Sequence, residues 1–278
     1  MGRLLVVPTP IGNLEDVTMR GLRALREASL VLAEDTRRTR HLLTHFDIHT
    51  RLLAYHQHNK RSRLPEALEA LSQGDVALVS SAGTPSVADP GFELVRAAIE
   101  AGVEVDVLPG ASAVITAYVG AALPSSGFTF MGFLPRQRSD RRARLREVAT
   151  YPYAIVLYEA PHRLISTLED IQLELGDRQM VAARELTKLH QEYVRGSVDE
   201  QLDRYRAAEP RGEFTLVIAG CEQKITDSME LARAEIERRR SGGERSKEAV
   251  AQVARTYRLP RNAVYDLWLE AAHAAVDP

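Results

Sequence analysis

Three loops in this chain combine rigid backbone with little side-chain bulk, and each follows a short apolar run. Ser80-Ser81-Ala82-Gly83-Thr84-Pro85-Ser86-Val87-Ala88-Asp89-Pro90-Gly91 comes after Val76–Val79, Pro8-Thr9-Pro10-Ile11-Gly12-Asn13 after Leu4–Val7, and Pro109-Gly110-Ala111-Ser112-Ala113 after Val103–Leu108. Such loops let a ligand lie directly on backbone N–H and C=O groups. Three on one rim of a sheet predict a pocket floor. For the Gly83 loop alone, a plainer reading is that Asp89 caps a helix with Pro90 at its first position.

Compact charged clusters end other strand-like runs. They are Glu34-Asp35-Thr36-Arg37-Arg38, Glu159-Ala160-Pro161-His162-Arg163 and Arg184-Glu185-Leu186-Thr187-Lys188. A carboxylate beside arginine at a strand end can position a hydroxyl and hold phosphate. Helix capping and solvated ion pairs are the alternative for each. Arg136, Arg138, Arg141, Arg142, Arg144 and Arg146 form a basic stripe after Pro135 that suits an RNA backbone or, alternatively, a solvated helix face. His56 and His58 could ligate a metal, but with no carboxylate nearby in sequence a polar loop is favoured and no metal is expected. Neither a Gly-x-x-x-x-Gly-Lys loop nor a Gly-x-Gly-x-x-Gly fingerprint is present.

The elements that must hold these groups follow from the apolar periodicity. Leu4–Val7, Leu30–Ala33, Val76–Val79 and Val103–Leu108 read as buried strands. They alternate with helical patterns at Met19–Ala28, Thr36–Phe46, Leu64–Leu71 and Phe92–Ala101, which argues for a mostly parallel sheet covered on both faces. A helix at Ala111–Ala121 closes this unit, and Leu123-Pro124-Ser125-Ser126-Gly127 marks its end. Strands at Phe128–Phe133, Ala154–Tyr158, Met180–Ala183, Gln191–Arg195 and Glu213–Ala219 form a second, mixed sheet with a hairpin near Gln191 and helices at Leu164–Leu175 and Val198–Arg206. A tail follows with helices at Ser228–Arg240, Ser246–Thr256 (Ser246 as N-cap) and Pro260–Ala271, the last two joined by Tyr257-Arg258-Leu259. The expected division is 1–124, 125–221 and 222–278.

The bulk composition narrows the function classes. With 278 residues, 45% hydrophobic and 27% charged, the chain is an ordinary globular sequence of about two domains at ~150 residues each. Its net charge of −2 gives no global sign of a polyanion partner, so local patches must carry that case. Only four of the 36 basic residues are lysine, leaving arginine as the usual hand for phosphate. The single cysteine, Cys221, excludes a disulfide framework and multi-cysteine zinc sites. No basic, apolar leader opens the chain and no apolar run is long enough to span a bilayer, so a cytoplasmic protein is expected.

Six ordered motifs carry a resemblance: Val7–Leu14, Ala33–Arg37, Ala82–Pro85, Pro109–Ser112, Tyr158–Arg163 and Arg184–Lys188. By them the chain is identified as a member of the tetrapyrrole methylase superfamily, similar to its branch that acts on small-subunit ribosomal RNA. The likeness runs from about Leu4 to Ala219. It implies an α/β, two-domain class III methyltransferase fold with a mostly parallel N-terminal sheet, a mixed second sheet and a helical C-terminal tail. The implied enzyme is a homodimer with no membrane association. It uses S-adenosylmethionine to methylate the ribose 2′-hydroxyl of a cytidine in the decoding region, in bare RNA or the assembled small subunit. The resemblance places Pro8, Gly83, Thr84, Val87, Ser112, Ala113, Tyr158 and Leu186 on the cofactor. Relatives typically carry Asp where Ser81 stands.

Chemistry adds expectations for the catalytic groups. Asp35 or Glu159 would contact the hydroxyl, and Arg37, Arg163, Arg184 or Lys188 would meet phosphate and developing charge. Arg136, Arg138, Arg141, Arg142 and Arg144 would hold the RNA. A methylase of tetrapyrroles or other small metabolites, and a non-enzymatic RNA-binding assembly factor, remain the competing readings.

Overall fold

The computed structural model describes residues 2–221, 225–257 and 259–273, without the side chains of 225–228, 272 and 273. Arg258, in the expected tail turn, lies outside the described residues. Five parallel strands form the first sheet: β1 (Leu4–Val6), β2 (Leu30–Ala33), β3 (Leu52–Ala54), β4 (Val76–Val79) and β5 (Val105–Val107), in the order β3-β2-β4-β1-β5. Successive strand residues point to opposite faces, and both faces are buried. Leu5, Val31, Ala77 and Val79 meet the apolar sides of α1 (Met19–Glu27) and α2 (Thr36–His45). Leu4, Leu30, Leu32 and Leu78 meet α3 (Lys60–Gln73) and α4 (Phe92–Glu100).

The continuous apolar runs expected as strands are strands. The structure adds a strand that was not expected, β3, which is only Leu52–Ala54 and half-buried at the sheet edge, so its three residues give no periodic signal. Helix α3 starts a turn before the expected Leu64: Asn59 precedes it, its side chain fixed between the His56 N–H and the Ala54 carbonyl.

The second sheet runs β6 (Phe128–Phe133), β7 (Ala154–Glu159), β10 (Phe214–Ile218), β8 (Gln179–Arg184), β9 (Glu192–Ser197). Only β6 and β7 pair in parallel, and β8–β9 is the expected hairpin. Helices α6 (Arg138–Glu147), α7 (Leu164–Leu175) and α8 (Val198–Ala207) cover one face. The other is covered by α5 (Ala113–Ala121), the helix that leaves the first sheet. Tyr193 of β9 packs where a Gly120 side chain would sit, and its hydroxyl donates to the Thr116 carbonyl at 3.3 Å. Residues 1–220 therefore form one compact unit, and the change at 124/125 is a change of sheet within it.

The second unit spans Cys221–Pro278 and contains α9 (Ile225–Ser241), α10 (Ser246–Thr256) and α11 (Arg261–His273) around Ile236, Val250, Val253, Val264 and Leu267. Arg245, not Ser246, occupies the N-cap of α10, with no side-chain cap bond. No helix among the described residues is long and apolar enough to cross a membrane.

Candidate functional site

Strands β4, β1 and β5 are neighbours, so their following loops emerge side by side. The loops are stitched together by polar contacts. Thr9 N donates to the Gly83 carbonyl at 3.0 Å, and Gly83 N returns to the Thr9 carbonyl at 2.9 Å. Thr84 Oγ1 donates to the Ala111 carbonyl at 3.2 Å, and Thr9 Oγ1 to the Ser80 carbonyl at 3.2 Å. Gly83 has φ +77°, a left-handed conformation that favours glycine. A Cβ on Gly110 would stand 2.6 Å from Pro8 Cβ, so the β1 and β5 loops touch backbone to ring.

A cavity of about 310 Å³ lies between this floor and the second sheet. That volume is at the small end of ordinary ligand sites. Seven residues expected at the cofactor line it: Gly83, Thr84, Val87, Ser112, Ala113, Tyr158 and Leu186. Pro8 does not. It is buried behind the wall against Gly110, so its part is to shape the loop. Val87, Ala113 and Leu186 supply apolar wall, while Ser112 N-caps α5 and the loop backbones supply polar groups. The walls and backbone groups suit a nucleoside-bearing cofactor.

The expected acid–base and phosphate groups are placed differently. Asp35 caps α2: Oδ1 accepts from Arg37 N at 2.8 Å and Arg38 N at 3.3 Å, which holds its carboxyl below the usual carboxylate range. It is not on the cavity. Glu159 borders the cavity, yet its carboxylate is fully buried and spoken for: Ala160 N at 2.8 Å, Thr167 Oγ1 at 2.6 Å and Arg163 at 3.4 Å. Asp35 is thus held away from the cavity as a helix cap, and the Glu159 carboxylate is turned into the protein, shut off from solvent.

The expected cations fare similarly. Arg163 donates to the Leu134 and Pro135 carbonyls. Arg184 is held by Glu192 and the Arg211 carbonyl. Lys188 bridges Glu185 and Glu213, each at 2.9 Å. Burial lowers the Lys188 pKa, but these two carboxylates outweigh it and leave it raised. Arg37 is the most exposed of the four, its side chain 92% exposed with a single ion-pair contact, to Asp35 at 3.5 Å.

The basic stripe corrects the expectation most. Arg138, Arg141 and Arg142 all converge on the fully buried Asp170, and Arg141 is itself only 4% exposed. Arg144 pairs with Glu147 and Arg146 with Glu174. Arg136 is exposed without an ion pair among the described residues. One face of α6 is thus a clamp onto α7, because a stripe of arginines opposite Asp170 and Glu174 neutralises itself. His56 and His58 stack edge-on at 5.9 Å, and no third ligand joins them among the described residues.

One group escaped the sequence reading as a reactive residue. Asp89 does not cap α4, whose N-cap is Gly91; it lines the cavity. Burial, then the nearby charge of Glu34, push its pKa up to about 6, partly offset by the Ser80 hydroxyl. Opposite it, Tyr158 is pushed up to about 12, by burial and then by Asp89, with the Val114 N–H acting the other way. Ser81 N and Oγ both donate to Glu34 Oε2, at 3.0 and 2.6 Å. The pocket therefore contains a carboxyl that titrates near neutrality, a property typical of proton-transfer groups. Its signal in sequence was position alone, since Asp-Pro-Gly also reads as a helix start.

Residues 3–201 match the family described as Tetrapyrrole (Corrin/Porphyrin) Methylases. Curated relatives bearing the name Ribosomal RNA small subunit methyltransferase I include the proteins of Halalkalibacterium halodurans (43% identical, 96% of this chain and 94% of the relative) and Synechocystis (44%, 97% and 98%). That of Thermotoga maritima is 47% identical, with 80% of this chain covering all of the relative. Among solved structures, the cobalt precorrin-4 methyltransferase CbiF aligns with TM-score 0.59 at 18% identity, covering 78% of this chain and 94% of that one. Uroporphyrin-III C-methyltransferase of Thermus thermophilus, complexed with S-adenyl homocysteine, aligns with TM-score 0.55 at 21% identity, covering 78% and 97%. These two share the fold.

Proposed function

The chain belongs to the tetrapyrrole methylase family, and from that premise we propose that it methylates the ribose 2′-hydroxyl of a cytidine in the decoding region of small-subunit ribosomal RNA, using S-adenosylmethionine. The observation that carries this reading is the cavity on the β1, β4 and β5 loops. It presents apolar wall, backbone polar groups and the Asp89 carboxyl together, in a chain 43–47% identical to three relatives named as small-subunit ribosomal RNA methyltransferases. When bound, S-adenosylmethionine supplies an electrophilic methyl on a cationic sulfur.

The protein's residues do the rest. The loop backbones and Val87, Ala113 and Leu186 hold and orient the nucleoside, so alignment supplies much of the rate. Asp89, ionised above about pH 6, would take the hydroxyl proton as the oxygen–carbon bond forms and the donor's sulfur–methyl bond breaks to leave a neutral thioether, and would later give that proton to solvent. Tyr158 stays protonated at any working pH and so can donate a hydrogen bond across the cavity. Asp35 and Glu159 serve this site as the α2 cap and as the buried partner of Thr167 and Arg163.

The competing reading, a tetrapyrrole methylase, draws on solved neighbours only 18–22% identical, a level that speaks for fold and not for substrate. We include in the proposal a cytoplasmic homodimer, for which exposed Ile115 and Val119, one turn apart on α5, supply apolar surface. The test is calorimetry with S-adenosylmethionine, then transfer of labelled methyl to small subunits and to bare ribosomal RNA. Binding followed by alkali-resistant label at one cytidine is expected. No binding at millimolar cofactor, or label on neither RNA substrate, overturns the reading.

A further inference from the structure

The cations counted on for RNA are mostly neutralised, so the polyanion must be held elsewhere. Helix α2 buries Thr39, Leu42 and Leu43 and turns Arg37, Arg38, Arg40 and His41 to solvent. No acidic residue lies within the helix. Among the described residues, the one carboxylate within 4.0 Å of any of these cations is Asp35, at 3.5 Å from Arg37, and Asp35 is already bound to the backbone of the first turn. The acids of the neighbouring short turn, Glu15 and Asp16, make no ion pair with them.

This cationic face has a defined place. A recess of about 90 Å³ is lined by Arg38, His41, Thr39 and Leu42 on the α2 side and by Thr9, Ser80 and Ser81 on the loop side. Ser81 also lines the larger cavity that contains Asp89. Either side of Leu186 in the chain, Arg184 and Lys188 are each held by carboxylates. The α2 face is therefore a cationic surface, joined to the cavity through Ser81, on which Arg38, Arg40 and His41 have no carboxylate within 4.0 Å among the described residues.

We propose that the solvent face of α2, with the recess at Arg38 and His41, binds the phosphate backbone of the RNA substrate and so delivers the target nucleotide past Ser81 into the cavity. This rests on the function proposed above and names its substrate surface. Arginine suits the task because its planar fork meets phosphate oxygens in pairs. Backbone contacts of this kind fix register without reading bases, which leaves the cavity to choose the nucleotide.

The experiment measures binding of small-subunit ribosomal RNA to the full chain across a salt series. Wild type is compared with Arg37→Ala/Arg38→Ala/Arg40→Ala, Arg136→Ala/Arg144→Ala, and Lys247→Ala/Arg255→Ala/Arg261→Ala. S-adenosylmethionine affinity is measured alongside. Each lost phosphate contact removes about 0.7–0.9 from the slope of log K against log salt. The α2 variant is expected to lose about 2–3 units of slope and nearly all methyl transfer at moderate salt, with cofactor affinity within about twofold of wild type. Arg38→Lys should keep the slope, since a point charge survives. The inference is overturned if the α2 variant keeps the wild-type slope, or if the loss appears in either other variant instead. A wild-type chain that binds the cofactor but no ribosomal RNA overturns the function reading, and this surface with it.

Discussion

Replacing Asp89 by Asn should make the protein more stable and less active, and the two effects share one cause. The folded carboxyl has a pKa near 6 against an ordinary 3.8, because burial and Glu34 disfavour its anion. Between those two values the folded state binds more protons than the unfolded state, so stability falls as pH rises, then levels off above about pH 7. A shift of roughly two units corresponds to about 3 kcal/mol at ~1.36 kcal/mol per unit. The carboxyl borders an open cavity, and screening there reduces the expected cost to about 1–2 kcal/mol. Asn carries no charge, so at pH 8 the variant should be more stable by that amount, and at pH 4 the difference should vanish. The groups facing this position are Glu34, the Ser80 hydroxyl and Tyr158; Asn leaves all three in place. The same substitution removes the proton acceptor, so kcat/KM should fall about 10²–10⁴-fold and lose the wild-type limb rising through pH 6. Denaturation should be followed by circular dichroism, because the only tryptophan, Trp268, belongs to the Cys221–Pro278 unit. Equal stability at pH 8 together with an unaltered pH–rate limb would refute the reasoning.

Two further outcomes concern the scaffold. Burial raises the Asp170 pKa, but hydrogen bonds from Arg138, Arg142 and Arg141 outweigh it and leave it lowered, so its stabilisation is present above about pH 4 and is lost as pH falls below that. Asp170→Asn should cost about 3–5 kcal/mol at pH 7, by stranding the buried Arg141, and should flatten the acid limb of an unfolding series. Gly120→Ala would put a methyl 2.6 Å from the Tyr193 hydroxyl and closer to its ring, which should cost about 1–3 kcal/mol in thermal denaturation; Tyr193→Ala in the same chain should recover most of the overpacking part.

The layers of the fold were legible because they rest on periodicity. Strands such as Leu30–Ala33 and Val76–Val79 are apolar at every position, which only a sheet covered on both faces requires, and the structure bounds them at those residues. What could not be read was allegiance. Helix α5 follows β5 of the first sheet yet closes the second, and its sequence, Ala113–Ala121, is apolar nearly all round. A helix without a polar face gives no sign of which neighbour it will cover. That helix lies between the two sheets, and both belong to the compact unit Met1–Gly220.

The site divides along a similar line. Loop positions were legible where proline and glycine dictate backbone, and the Gly83, Pro8 and Pro109 loops meet as expected. Charged side chains were not, because a carboxylate takes its role from what folds against it. Asp35 finds two N–H groups, Glu159 finds Thr167 and Ala160, and Asp170 finds three arginines, and each takes a structural part. Asp89 differs by facing another acid, Glu34, across a loop that gives it little compensation. Ser81 is central to that balance. Its backbone N–H and hydroxyl give Glu34 Oε2 two hydrogen bonds. A third carboxyl beside Glu34 and Asp89 would add like charge, and like charges at close range hold protons. Ser81→Asp should therefore move the rising limb of the pH–rate profile above pH 6. A limb left in place would mean that a charge at position 81 does not reach Asp89.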